Sequence, residues 1–92
     1  MGDRLHRRMK IVNSKGLHAR ASAKFVEVVE AHDGHARVFH DGMEADGDSI
    51  MGLLMLGASI GREIEVETTG SDAPDLMEAL ETLVADRFGE EN

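Results

Sequence analysis

Glu63-Ile64-Glu65-Val66-Glu67-Thr68 alternates acidic with apolar or β-branched residues along its whole length. Successive side chains of a strand point to opposite faces, so Ile64, Val66 and Thr68 fall on a core side and the glutamates on a water side. A strand buried on one face only implies an antiparallel or mixed sheet with helices packed on that face. The flanking sequence supplies those helices. After Gly70, Ser71-Asp72-Ala73-Pro74 opens one by side-chain capping and proline's preset backbone angle, and Leu76, Leu80, Leu83 and Val84 form its buried stripe. Gly89 and the acidic tail Glu90-Glu91-Asn92 end it. On the other side of the strand, a short helix over 49–56 starts at Asp48 or Ser49, whose side chains can accept from its first free amides, and stops at Gly57.

Further upstream, Ala36 and Val38 are joined to Met43 and Ala45 through Asp41-Gly42, a pair suited to the positive backbone angles of a type I′ hairpin. A helix over 19–31 carries Ala23, Phe25, Val26, Val28 and Val29 on its apolar face, keeps Lys24, Glu27 and Glu30 in water, and is stopped by Gly34. Met9 and Ile11 alternate with Arg8 and Lys10 in a strand that runs into the Asn13-Ser14-Lys15-Gly16 turn. The element order is βαββαβα, an α+β arrangement with one layer of helices. At 92 residues there is room for one domain, spanning 1–92 with its core over about 8–88.

Composition removes several functions. Ten basic against 18 acidic side chains give a net charge of -8, which repels phosphate backbones and anionic membranes. Three phenylalanines without Tyr or Trp make no base-stacking platform, so no nucleic acid is expected as a partner. The absence of cysteine excludes disulfides, thiolate metal sites and cysteine nucleophiles. Arg4, Arg7, Arg8 and Lys10 look like the basic end of a signal sequence, yet no apolar stretch follows them. The mostly apolar run over 50–60 is broken by Gly52, Gly57 and Ser59 and falls short of the ~20 residues that span a bilayer. A cytoplasmic protein without membrane insertion is expected.

Gly16-Leu17-His18-Ala19-Arg20 lies where the first strand gives way to the first helix, which sets His18 at or beside the helix cap. Unpaired amides at a helix start carry partial positive charge, favouring a bound phosphate over a protonated imidazole. A neutral imidazole there can act as a nucleophile. Arg20 brings a planar fork of donors suited to phosphoryl oxygens, and Lys15 and Lys24 make the turn a basic spot on an acidic protein. Taken alone, a histidine in this position is also a plain surface cap.

The run Gly16-Leu17-His18-Ala19-Arg20, followed by Ala23 and Phe25 and later by Ser49-Ile50-Met51-Gly52-Leu53 and Leu56-Gly57, closely resembles the HPr family, the histidine-containing phosphocarriers of the phosphoenolpyruvate-dependent phosphotransferase system. The resemblance covers about 8–88. It implies an open-faced β-sandwich, four antiparallel strands covered on one face by three helices. It implies that His18 takes a phosphoryl group on Nδ1 from enzyme I and passes it to an enzyme IIA component, with Arg20 steadying the phosphate. Such a protein is a transfer intermediate rather than an enzyme with its own turnover, works without cofactors and is expected to be a monomer. The alternative is a regulatory, nitrogen-type module that controls partner proteins by its phosphorylation state without sugar transport. A hydrolase using His18 as general base ranks last, because no nucleophile or acid partner stands at a matching position. One departure stands out: the family commonly has Pro directly after the active-site Arg, where this chain has Ala21, which keeps helix propensity and loosens the first turn.

Ser49 reads on its own as a helix cap; the resemblance adds phosphorylation there by an HPr kinase/phosphorylase. Asp48 stands where many relatives have Lys, which makes the surroundings less welcoming to a phosphate. Ile50, Met51 and Leu54 lie on a different side of the short helix from Leu53 and Leu56. In the family the matching residues form a docking patch, to which Leu17, Lys15 and Lys24 are added. His32, His35 and His40 are not spaced as metal ligands, since His35 and His40 differ by an odd number on one strand, and no metal is expected. The basic residues Arg4, His6, Arg7 and Arg8 read as charge protection of an edge strand.

Overall fold

The computed structural model describes residues 3–92. Its elements are β1 (Asp3–Lys10), α1 (Ala19–Glu30), β2 (His35–His40), β3 (Met43–Asp46), α2 (Ile50–Met55), β4 (Glu63–Gly70) and α3 (Ala73–Ala85), followed by a 3₁₀ turn at Arg87–Gly89. The strands form one sheet in the order β1-β4-β2-β3, every neighbouring pair antiparallel. The alternating stretch is thus an inner strand. Ile64, Val66 and Thr68 are completely buried and face the helix layer with Val38 and Ala36, while the glutamates of β4 turn outward.

β1 is an edge strand, as its basic residues suggest, but it starts well before the Met9–Ile11 alternation. On the outer face Arg4 Nε donates to Glu67 Oε2 at 3.0 Å and His6 lies 3.2 Å from Glu65. These cross-strand pairs fix register more than they add stability, since solvent-exposed pairs contribute roughly 0–1 kcal/mol. The hairpin between β2 and β3 turns at Asp41 (φ 52°) and Gly42 (φ 81°), the two positive angles that a type I′ turn requires. Phe25 and Val26 of α1, Leu53 of α2, and Leu76, Met77, Leu80 and Val84 of α3 fill the core beneath the sheet. No helix among the described residues is long and apolar enough to cross a membrane.

Two expectations about α3 need correction. Asp72 occupies the N-cap position without capping; its carboxylate instead accepts from the Asp33 N–H at 3.4 Å, while Ser71 Oγ donates to Asp33 Oδ2 at 2.8 Å. Both side chains tie the helix start to the turn after α1, because the Asp72 N–H is already drawn to the Asp33 carbonyl at 3.0 Å. Nor does the chain trail off after α3. Arg87 (φ 57°) and Phe88 (φ 55°) adopt left-handed backbone angles, which cost roughly 1–2 kcal/mol per non-glycine residue. Full burial of the Phe88 ring returns about 1.5–3 kcal/mol, and Lys24 Nζ donates to the Phe88 carbonyl at 2.7 Å. The reversal sends the tail back along the loop between β1 and α1, where the Ser14 N–H donates to the Asn92 main-chain oxygen at 2.9 Å.

That loop depends on Gly16. Its φ is +65°, and a β-carbon there would lie 2.5 Å from the Ala58 carbonyl oxygen and 2.9 Å from the Ser59 α-carbon. Gly57 has nearly the same angle (+64°) but nothing within 4 Å of a β-carbon. Gly57→Ala should therefore cost only the backbone term, about 1 kcal/mol or a melting shift of roughly 4–8 °C, and Gly16→Ala at least twice that by thermal unfolding. Equal shifts would show that the loop yields to the added methyl.

Candidate functional site

α1 starts where Gly16 has turned the chain and Leu17 has been pinned. The Leu17 N–H donates to the Ala58 carbonyl at 2.9 Å and its side chain is buried in the core. Leu17 is accordingly removed from the docking residues expected from sequence: its side chain anchors the loop and has no surface to offer a partner. His18 follows as the N-cap of α1 with extended backbone angles (φ -78°, ψ -176°). A capping side chain must accept from a free amide of the first turn, and here Nδ1 accepts from the Arg20 N–H at 3.3 Å.

The other ring nitrogen faces the tail. Nε2 is in contact with Glu90 Oε2, and Glu90 Oε1 accepts from Asn13 Nδ2 at 3.0 Å. The same Asn13 amide group donates to the Gly16 carbonyl at 2.8 Å, so one fully buried side chain joins the loop before His18 to the carboxylate behind it. Among the described residues Asn13 Oδ1 has no hydrogen-bond partner. Burial raises the Glu90 carboxyl's pKa, but the hydrogen bonds from Asn13 and His18, with the positive charge of Lys15 and that of His18 whenever its ring is protonated, outweigh it and hold the pKa below the usual 4.5.

A backbone N–H can only donate and a carboxylate only accept. Both contacts of the ring are satisfied by one neutral tautomer, with the hydrogen on Nε2 and the lone pair on Nδ1. That lone pair points into the start of α1, a 12-residue helix whose first-turn amides attract anions. The side chain of His18 is 25% exposed, against 15% for Glu90. Arg20 is exposed and makes no ion pair among the described residues, leaving its guanidinium free for an incoming anion. A cleft of about 370 Å³ beside it is lined by Ser14, Lys15, Arg20, Lys24 and residues 89–92. Lys24 is half-buried and committed to Phe88, so of the expected cations Lys15 and Arg20 are the ones turned to solvent.

The structure brings together His18, Arg20 and Lys15, and adds Asn13 and Glu90, which sequence reasoning missed. Ala21, where the family resemblance expects Pro, is completely buried. Ser49 caps α2, its Oγ accepting from the Gly52 N–H at 3.0 Å. Of the expected docking residues on α2, Ile50 (40%) and Met51 (69%) are exposed and Leu54 is half-buried; Met55 (67%), one helical turn beyond Met51, extends the same surface and was overlooked. His32 Nδ1 donates to the Val28 carbonyl at 2.7 Å and His40 Nδ1 to the Leu56 carbonyl at 3.0 Å, while His35 is exposed, so the three stand apart.

Comparison with known proteins agrees with this geometry. The model of the family described as the PTS HPr component phosphorylation site matches residues 5–86. The phosphocarrier protein HPr of Cupriavidus necator is 43% identical over 86 residues, 94% of this chain and 97% of that protein. The phosphocarrier protein NPr of Escherichia coli K12 is 36% identical over 84 residues, 90% of this chain and 93% of that one. Among solved structures, HPr-C-His from Thermoanaerobacter tengcongensis superposes with a TM-score of 0.90 at 33% identity, covering 96% of this chain and 99% of the other. The four-stranded antiparallel sheet with its three helices is the fold these proteins share, and this chain belongs to the HPr family of phosphocarriers of the phosphotransferase system.

Proposed function

We propose that His18 is the phosphoryl-accepting residue, taking the group on Nδ1 from phosphorylated enzyme I and delivering it to an enzyme IIA component. The observation that carries this reading is the ring's placement: an Nδ1 lone pair at the start of α1, accepting from the backbone N–H of Arg20, whose exposed guanidinium makes no ion pair among the described residues. Amides and a cation aimed at the phosphoryl oxygens stabilise charge in transfer without a covalent role of their own. Arg20 and Lys15 are exposed rather than sealed in a pocket, which suits a group that must leave as easily as it arrives. The α2 surface around Ile50, Met51 and Leu54 is the proposed docking face, and its flexible thioethers can repack against more than one partner.

Similarity to both HPr and NPr proteins supports two branches, sugar uptake and nitrogen-type regulation. We favour the general carrier; the regulatory branch is the second reading. Presenting the phosphorylated protein to a sugar-type and a nitrogen-type IIA separates them by which one becomes labelled faster. Ser49 is proposed as a second phosphorylation site, acted on by an HPr kinase/phosphorylase; modification there would add about two negative charges next to Ile50 and Met51.

Incubation with phosphoenolpyruvate and enzyme I should introduce one acid-labile, base-stable phosphoryl group, absent from His18→Ala; labelling that persists in that variant overturns the assignment. Met51→Asp should slow transfer about five- to tenfold with the fold intact, the loss expected when a docking anchor is removed. With kinase and ATP, wild type but not Ser49→Ala should be modified, and equal incorporation would remove that site.

A further inference from the structure

We propose that Glu90 is a positioning residue for phosphoryl transfer: its carboxylate, held by Asn13 and paired with the Nε2–H of His18, keeps Nδ1 as the nucleophile and keeps the departing ring neutral. The proposal rests on the reading of His18 as the acceptor. Three features single out Glu90 from an ordinary tail glutamate. Its two oxygens have separate partners, Asn13 on one and His18 on the other. Asn13 is completely buried and uses one amide group for both Glu90 and Gly16, so the carboxylate and the loop bearing His18 are placed by the same side chain. The backbone around Glu90 is fixed on both sides, its N–H donating to the Arg87 carbonyl at 2.9 Å and Asn92 accepting from Ser14 at 2.9 Å.

The pairing has a direct chemical consequence. A histidine whose Nε2–H meets a carboxylate is fixed in orientation and tautomer, and the carboxylate stabilises the cation that forms without taking its proton. As Nδ1 attacks, its lone pair forms the N–P bond while the bond from phosphorus to the donor breaks and that electron pair returns to the donor, enzyme I. Nε2 keeps its proton, so the His18 ring becomes a cation with Glu90 as counter-ion. In onward transfer the Nδ1–P electron pair returns to Nδ1 and the leaving group is neutral imidazole. Were the Nε2 proton lost, the leaving group would be imidazolate, a far poorer one. The ionised state of Glu90 is maintained by the same contacts that hold it below the usual carboxylate range.

Three variants test this: Glu90→Ala, Glu90→Gln and, as a control on the exposed face of α3, Glu78→Gln. Ring ¹⁵N shifts report the tautomer of neutral His18, and single-turnover transfer from phosphorylated enzyme I reports the rate. Glu90→Ala should mix the two tautomers and slow transfer about tenfold, the lower end for losing a carboxylate that orients a histidine. Glu90→Gln, whose amide oxygen still accepts from Nε2–H, should keep the tautomer yet slow transfer several-fold because the counter-charge is gone; Glu78→Gln should change neither. A tail that merely packs would alter neither ring shifts nor the difference between Gln and Ala. Wild-type tautomer and rate in Glu90→Ala would overturn the inference and leave His18 as acceptor, whereas label surviving in His18→Ala would strike the acceptor reading itself.

Discussion

An imidazole pressed between a donor that can only donate and an acceptor that can only accept has one neutral form available to it. In this protein the Arg20 N–H and the Glu90 carboxylate impose that condition on His18, and the rest of the fold can be read as the means of bringing them to opposite sides of one ring. The donor requires that a helix start at residue 19, which in turn requires a left-handed Gly16 lying against the Ala58 carbonyl. The acceptor requires that the chain reverse after α3, which two non-glycine residues in left-handed conformation achieve because Phe88 is buried and Lys24 grips its carbonyl. Asn13 closes the arrangement from within.

Charge is distributed to match. The protein is acidic as a whole, yet exposed Lys15 and Arg20 flank the one histidine seated at the start of a long helix. A strongly basic site would hold a phosphoryl group too well for a carrier; a local cation or two within a negative molecule attracts it without trapping it. The cross-strand ion pairs on the open face of the sheet join β1 to β4 and β2 to β3, strands that contribute nothing to the lining of the cleft beside Arg20.

Much of the scaffold was legible because it rests on local rules. Strict alternation in β4, the Asp41-Gly42 turn and the Ser49 cap are each fixed by a few adjacent residues, and all three formed as expected. His18 at the cap of α1 was legible for the same reason. What could not be read are contacts between residues distant in sequence. Asn13 and Glu90 are 77 positions apart, and no periodicity links them. The acidic tail reads from sequence only as the end of the last helix, because the reversal at Arg87 and Phe88 uses residues that ordinarily avoid left-handed angles. Asp72 misled for a related reason: its side chain was claimed by Asp33, a partner brought near only by the fold. Leu17, expected among the docking residues, is buried because the loop that carries it is drawn against Ala58. Met55 could have been found, since it follows Met51 by one helical turn.

The central claim is that the phosphoryl group resides on a particular nitrogen of a particular ring. The most direct measurement is ¹⁵N–³¹P coupling in the phosphorylated protein labelled with ¹⁵N at histidine, with ring assignments made by the unphosphorylated spectrum. Coupling between phosphorus and Nδ1 of His18 is the predicted result; coupling to Nε2, or to a ring other than His18, would contradict the account.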